Sequence, residues 1–301
     1  MGNQDVKELL DKIVYLEEKM DAQEDMLKMT SRHLKNNQKR LKKVNKHLGD
    51  SINSARRIQD SLMPSDNVLN AIFPGSFALH IPKDELSGDI FWVRHFGNTR
   101  YAAAIDCTGH GVPGAMLSVL AISLLNQIFA SNIGQLSPAH ILTELNMLLR
   151  QQTQSMENRT QIRDGMDVAL IAYHPKERKL EFAGAKRPLY VLRDNKIIEV
   201  KGSRISLGEV RTRGKQVKIE NHSLTTELGD WAYIFSDGYH DQFGGPNNYK
   251  MMRRRFRYLL AGNQRAYEGG NAQKQGLHDY FNDWKDGRTQ TDDVLVMGIP
   301  L

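Results

Sequence analysis

Residues 101–114 read Tyr101-Ala102-Ala103-Ala104-Ile105-Asp106-Cys107-Thr108-Gly109-His110-Gly111-Val112-Pro113-Gly114. An apolar β-type run ends in an acid, and a glycine-rich loop then leads into a helical pattern over residues 113–130. A carboxylate at the tip of an apolar strand, beside glycine, is held rigidly yet open to a ligand. The same arrangement recurs three times. Asp89, in Ser87-Gly88-Asp89, precedes Ile90-Phe91-Trp92-Val93; Asp237 follows the run 231–236 and precedes Gly238; Asp292-Asp293 opens the run 294–297. Four such oxygen donors without companion cysteines suit a hard cation such as Mg²⁺ or Mn²⁺. Taken singly, each is equally a turn former or a helix cap, and the spacing alone does not bring residues 89 and 293 together.

Outward from this stretch, β-type runs occupy residues 77–81, 90–96, 168–173, 180–182, 189–192, 196–200, 231–235 and 294–299, with Asp194-Asn195 as a hairpin signal. A second helical pattern covers 137–152, with Ser137 as N-cap and Pro138 at the first helical position. Another helical region follows residue 249, interrupted by a glycine-rich stretch at 268–271. Strand runs around clustered helices predict an α+β sandwich rather than a parallel doubly wound sheet.

The first sixty residues differ. Residues 6–62 hold no proline and one glycine, Gly49. With Val6 at heptad position a, the a series is Val6, Ile13, Met20, Leu27, Leu34, Leu41, Leu48, Ala55 and Leu62, all apolar. The d series mixes Leu9, Leu16, Val44 and Ile58 with Gln23, Thr30, Asn37 and Ser51. A 3-4 repeat of this length predicts a long coiled-coil helix and a parallel homodimer, the polar d residues fixing register. A helix folded back on the rest of the chain is the alternative. A straight helix of this extent would run about 85 Å, and Pro64 would stop it. The predicted domains are a coil over 1–62 and a catalytic domain over 63–301.

The chain has 301 residues and a formal net charge of +6. Between Met26 and Gly49 there is no acid, but there are Lys28, Arg32, Lys35, Lys39, Arg40, Lys42, Lys43 and Lys46. A zipper that binds DNA sets its basic region ahead of the heptads, where the helices fork. Here the repeat runs straight through the basic stretch, which argues against nucleic acid. A membrane surface, an acidic partner and a solvated coil face remain open. The single cysteine, Cys107, can form no internal disulfide, and a reducing cytoplasmic setting is the simple expectation. The N-terminus shows no signal-peptide pattern, and the longest apolar stretch, 112–130, is broken by Pro113, Gly114 and several polar residues. No P-loop and no serine nucleophile elbow occurs. Cys107 lacks the positive surroundings of a reactive thiolate.

Together and in order, these segments resemble the PPM-type (protein phosphatase 2C-like) serine/threonine phosphatases of the SpoIIE/RsbU branch. The resemblance covers residues 55–301 and begins with Ala55-Arg56-Arg57-Ile58-Gln59-Asp60-Ser61-Leu62-Met63-Pro64. It continues through Ser87-Gly88-Asp89, Asp106 to Gly111, Ser236-Asp237-Gly238 and Asp292-Asp293-Val294. It implies an α-β-β-α sandwich and hydrolysis of phosphoserine or phosphothreonine with two or more Mn²⁺ or Mg²⁺ ions. It further implies that Asp106 bridges the metals, with the main-chain carbonyl of Cys107 as a further ligand. Asp89, Asp237 and Asp292 match the remaining ligands, and Asp293 stands next to one. Attack on phosphorus would be direct, without a covalent phosphoenzyme. His110 is a candidate general acid, or a residue that orients the loop backbone. Where many relatives carry Ala-Gly-His-Pro-Pro, this chain has Ala183-Gly184-Ala185-Lys186-Arg187-Pro188. The cationic pair could meet a phosphate or an acidic substrate, or could be a solvated hairpin turn. The branch implies a small phosphorylated STAS-type anti-sigma-factor antagonist as substrate. An upstream sensor domain or a membrane-proximal partner would act through the coil. The rival reading is a noncatalytic scaffold, a pseudophosphatase.

Overall fold

The computed structural model describes residues 3–109, 111–132, 134–154, 165–209 and 218–301. The chain divides into two units, Met1–Ser54 and Ala55–Leu301. Helix α1 (Asn3–Leu62) starts in the first and ends in the second, two residues before Pro64. Within the first unit, the apolar heptad residues from Val6 to Leu48 are 45–69% exposed. One short ion pair, Lys28 to Glu24 at 2.7 Å, links successive turns; such a pair adds only about 0.3–0.5 kcal/mol.

The second unit continues through α2 (Asp66–Ile72), β1 (Phe77–Ile81), β2 (Asp89–Phe96), β3 (Thr99–Cys107), α3 (Val112–Ser131), α4 (Pro138–Gln154) and β4 (Met166–His174). Then come β5 (Lys179–Ala185), β6 (Leu189–Arg193), β7 (Lys196–Val200), β8 (His222–Thr225), β9 (Trp231–Phe235) and α5 (Gly238–Asp241). A small ribbon, β10 (Phe243–Gly244) and β11 (Tyr249–Lys250), leads to α6 (Met252–Ala266), α7 (Gly270–Lys285) and β12 (Val294–Pro300). Two antiparallel five-stranded sheets form, in the orders β1-β12-β9-β6-β7 and β2-β3-β4-β5-β8. Helices α3 and α4 cover the outer face of the β2–β8 sheet, and α6 and α7 the outer face of the β1–β7 sheet. The result is the α-β-β-α sandwich, preceded by a long helix, that the sequence led us to expect.

Alternation along the strands assigns each side chain to a layer. In β3, Tyr101, Ala103, Ile105 and Cys107 point toward α3 and α4, while Ala102 and Ala104 face the opposite sheet. In β4, Val168, Leu170 and Ala172 face the helices, and Ala169 and Ile171 the other sheet. Such strands, buried on both faces, read as continuous apolar runs. The edge strands β7 and β8 alternate between exposed and half-buried residues. With little apolar signal, β8 escaped the sequence reading, as did the short helices α2 and α5.

Helix α3 is long and apolar enough in composition to pass for a membrane span, but half of that stretch is buried inside the unit. Its apolarity is accounted for by Ala121, Leu125 and Ile128, which pack against the sheet. At α4, Ser137 caps as predicted, its Oγ accepting from the His140 N–H at 3.3 Å.

Candidate active site

Strand register builds the first half of the site. Asp89 stands directly opposite Asp106, and Asp106 directly opposite Asp167, across β2, β3 and β4. Directly opposed residues of antiparallel neighbours share a face. By alternation that face looks into the layer between the sheets, the side of Phe91, Ala104 and Ala169. The other sheet supplies the second half. The Ser236 N–H donates to the Leu295 carbonyl at 3.0 Å, and the Leu295 N–H donates to Ser236 Oγ at 2.9 Å. These bonds fasten the end of β9 to the start of β12, so Asp237 and the Asp292-Asp293 pair emerge side by side.

Arg187 joins the two halves. It leaves the turn between β5 and β6, where the chain crosses from one sheet to the other. Its Nη2 lies 2.6 Å from Asp106 Oδ2, 2.8 Å from Asp237 Oδ2 and 3.5 Å from Asp167 Oδ2. Lys186 Nζ is 3.6 Å from Asp167 Oδ1, and that oxygen also accepts from the Ser206 hydroxyl. The turn is therefore no solvated hairpin: Arg187 is 6% exposed.

Asp293 faces inward and acts as a clamp. Its Oδ1 accepts from the Lys83 N–H at 2.7 Å and its Oδ2 from the Gly88 N–H at 2.8 Å. Asp292 Oδ1 accepts from the Asp293 N–H at 2.9 Å. Gln59, in the last turn of α1, holds the same loop by hydrogen bonds to Ser87, and Ser87 Oγ accepts from the Asp89 N–H at 3.1 Å.

The electrostatics follow from this crowding. Burial pushes the Asp106 carboxyl up to about 7; Arg187 opposes the rise, and Asp237, Asp167 and Asp292 add to it. Burial, then the neighbouring Asp106, lifts Asp89 well above the ordinary carboxylate range, against a hydrogen bond from Ser236. Burial also raises Asp292. Burial works against the Arg187 charge, but Asp106, Asp237 and Asp167 outweigh it and hold the guanidinium protonated. The Cys107 thiol is driven far up by burial and by Asp106, so it is no nucleophile. Asp89 Oδ2 is buried with no hydrogen-bond partner.

Four of the sequence-predicted positions, Asp89, Asp106, Asp237 and Asp292, come to one end of the inter-sheet layer, whereas the Cys107 side chain points into the helix layer. His110 lies outside the described residues. The structure adds Asp167, places Arg187 of the cationic pair on acids rather than at a solvated turn, and brings Ser236 and Gln59 from their motifs into the site. Asp167 carried a readable signal, since it precedes the run 168–173 as Asp89 precedes its own strand. No local signal marks Arg187 or Gln59 as buried.

Among the described residues, no three His, Cys, Asp or Glu side chains stand as a preassembled metal cage. The donor set nevertheless fits a hard cation. It is all oxygen, one of its buried oxygens is unpartnered, and two others are already held by a cation, Arg187.

The sequence model of Stage II sporulation protein E (SpoIIE) matches residues 97–300. This chain belongs to the SpoIIE family. Its fold is that of the PPM-type phosphatases in the SpoIIE/RsbU branch. The SiaA-PP2C domain of Pseudomonas aeruginosa is 28% identical with a TM-score of 0.76, the match covering 86% of this chain and 98% of that one. The PP2C phosphatase domain of SpoIIE from Bacillus subtilis, with a fragment of its regulatory domain, is 20% identical with a TM-score of 0.59 over 75% of this chain and 61% of that one. The RsbU and RsbW domains of a Mycobacterium tuberculosis protein are 16% identical with a TM-score of 0.57 over 75% and 59%. These last two share the fold. Among curated proteins, none matches this chain. Read as a SpoIIE-family phosphatase domain, the site has its acids at one end of the sandwich, between the two sheets.

Proposed function

We propose that this chain is a metal-dependent protein serine/threonine phosphatase acting on a regulatory phosphoprotein. The observation that carries this reading is that Asp106 and Asp237, from different sheets, share one guanidinium nitrogen at 2.6 and 2.8 Å. Acids so far apart in sequence are gathered at a single point able to hold cations.

Asp89, Asp106, Asp237 and Asp292, with the Cys107 carbonyl, would hold two or more Mn²⁺ or Mg²⁺ ions. When bound, such ions supply Lewis acidity that activates water and neutralises phosphoryl oxygens. The chain's own residues do the rest. Asp106, central among the acids, sets the position of the charge. Asp293 and Gln59 hold the Ser87-Gly88-Asp89 loop in place. Lys186, about half exposed at the rim, draws the phosphate of an incoming phosphoserine. His110 is the candidate proton donor to the departing serine or threonine oxygen.

The substrate fitting this branch is a STAS-type anti-sigma-factor antagonist, and the setting is cytoplasmic signalling. The heptad stripe of α1 would form a homodimer and carry a signal from an upstream sensor domain or membrane-proximal partner through residues 51–64.

A second reading, a noncatalytic scaffold, is favoured by one observation. An arginine that permanently neutralises the acids would leave the site without metal. The test is Mn²⁺-dependent hydrolysis of a phosphoserine peptide by the purified chain and by Asp106→Asn. Activity that requires Mn²⁺ and is lost in a folded Asp106→Asn protein supports the enzyme. Full activity in the variant, or none in the wild type at any Mn²⁺ concentration, sinks it.

A further inference from the structure

Among the described residues, Arg187 is the one side chain ion-paired to acids of both sheets, and the backbone beneath it is built to put it there. Lys186 takes a left-handed conformation, φ +57°, which costs a non-glycine residue about 1 kcal/mol. Three bonds pin the turn: Lys186 N–H to the Ser203 carbonyl, Arg187 N–H to the Ala185 carbonyl and Ser203 N–H to the Gly184 carbonyl, each at 2.7 Å. Gly184 and Gly202 press against the Arg187 carbonyl so closely that a Cβ on either would collide with it. The anchor is rigid, while the side chain beyond it keeps its rotatable bonds.

The guanidinium at the end of that side chain is imperfectly housed. Its Nε is buried with no hydrogen-bond partner. A permanent structural arginine in a buried network is ordinarily fully satisfied, because an orphaned donor there costs about 1–3 kcal/mol. Here one nitrogen carries the two strong bonds, to Asp106 and Asp237, and another goes unused. The charge is what this location requires: without it Asp106, Asp167 and Asp237, partly or largely buried, would stand together with Lys186 as the one other cation ion-paired to them among the described residues.

We propose that Arg187 is a resident counter-cation that metal ions must displace, so that loading the site and withdrawing this side chain are one event. The inference rests on the metal-dependent reading above. Nη2 sits within hydrogen-bond distance of both oxygens, Asp106 Oδ2 and Asp237 Oδ2. A hard cation bound to the same pair would lie about 2.0–2.6 Å from them, overlapping the guanidinium and repelling it. The two cannot share the position. Arg187 thus sets a threshold for metal: it protects the empty fold from its own carboxylates and lowers affinity for the ions.

The experiment is calorimetric titration of the full chain with MnCl₂, with thermal melting of the metal-free and Mn²⁺-saturated protein. The wild type is compared with Arg187→Gln and with Arg193→Gln. The latter removes an equal charge from a distant pair, Arg193 with Asp230. Arg187→Gln is expected to bind Mn²⁺ at least tenfold more tightly than wild type, to melt lower without metal, and to gain more from Mn²⁺. Arg193→Gln should leave Mn²⁺ affinity unchanged. Equal or weaker binding by Arg187→Gln, while the wild type binds, overturns the proposal and leaves the metal reading standing. Absence of binding by all three proteins overturns both. If metal-free Arg187→Gln does not fold, its Mn²⁺-driven refolding is followed by circular dichroism. Refolding with a midpoint below the wild-type dissociation constant supports the proposal, and no refolding at saturating Mn²⁺ overturns it.

Discussion

Gln59 and Ser87 exchange two hydrogen bonds: Gln59 Nε2 donates to the Ser87 carbonyl at 2.6 Å, and the Ser87 N–H donates back to Gln59 Oε1 at 3.2 Å. A third bond runs from Nε2 to Ser118 Oγ on α3, at 2.9 Å. The last turn of α1 is thereby tied to a residue two positions before Asp89. Gln59 is 3% exposed, whereas its neighbour Ile58, on the heptad stripe, is 61% exposed. One face of this turn grips the phosphatase fold and the other is exposed.

Gln59→Leu keeps the bulk but leaves the Ser87 N–H and carbonyl unpaired in the interior. Stability should fall by about 1–3 kcal/mol, read as a lower urea midpoint with an unchanged slope. Mn²⁺-dependent turnover should fall with it, since the Asp89 loop loses its support. An unchanged midpoint would show that the pair does not hold the loop.

Asp293 is tied to the loop that carries Asp89. Its two carboxylate oxygens accept from the half-buried backbone N–H of Lys83 and the buried N–H of Gly88. Asp293→Ala strands both N–H groups, and charge-assisted bonds of this kind are worth about 1.5–3 kcal/mol. Asp293→Asn keeps one acceptor and should lose about half as much. Equal denaturation midpoints for wild type and Asp293→Ala would refute the clamp.

His240, 3% exposed, is packed between Phe235 and Phe256. Burial lowers its pKa to about 4, against the pull of Asp241 and Asp237 and with help from Arg253 and Arg187. The folded state therefore favours the neutral ring, while the unfolded chain gains a proton near pH 6.5. This contribution to stability is present above about pH 6.5 and is lost as pH falls toward 4. It amounts to about 3 kcal/mol. Replacement by phenylalanine suits the same aromatic niche and should flatten the acid side of the stability–pH curve over this window. The same slope in His240→Phe would assign it to other groups.

The apolar stripe of the first unit gives an oligomer test. Leu27 and Leu41 are 69% and 61% exposed within that unit. Leu27→Glu with Leu41→Glu places charge at two a positions, where a coiled-coil seam tolerates it poorly. If the chain dimerises through this stripe as proposed, light scattering should show the mass of the variant halved relative to wild type. An unchanged mass would refute dimerisation through the stripe.

The sequence by itself determined the alternating strands, the long helix ended by Pro64, the caps, and the acids at strand tips. These are local properties, because period-2 and period-3.6 patterns and turn residues act within a few positions of one another. Asp89, Asp106, Asp237 and Asp292 were legible for that reason, each beside its own apolar run and a glycine or a second acid. Tertiary structure alone decided what those acids meet. Cross-strand register brought Asp167 level with Asp106. The start of β12, fastened to the end of β9, turned Asp293 inward onto Gly88. The crossing from β5 to β6 carried Arg187 into the acids. Each of these depends on distances between residues far apart in the chain, and charge pairing in a buried layer is fixed by such distances rather than by the identity of the residues along the chain.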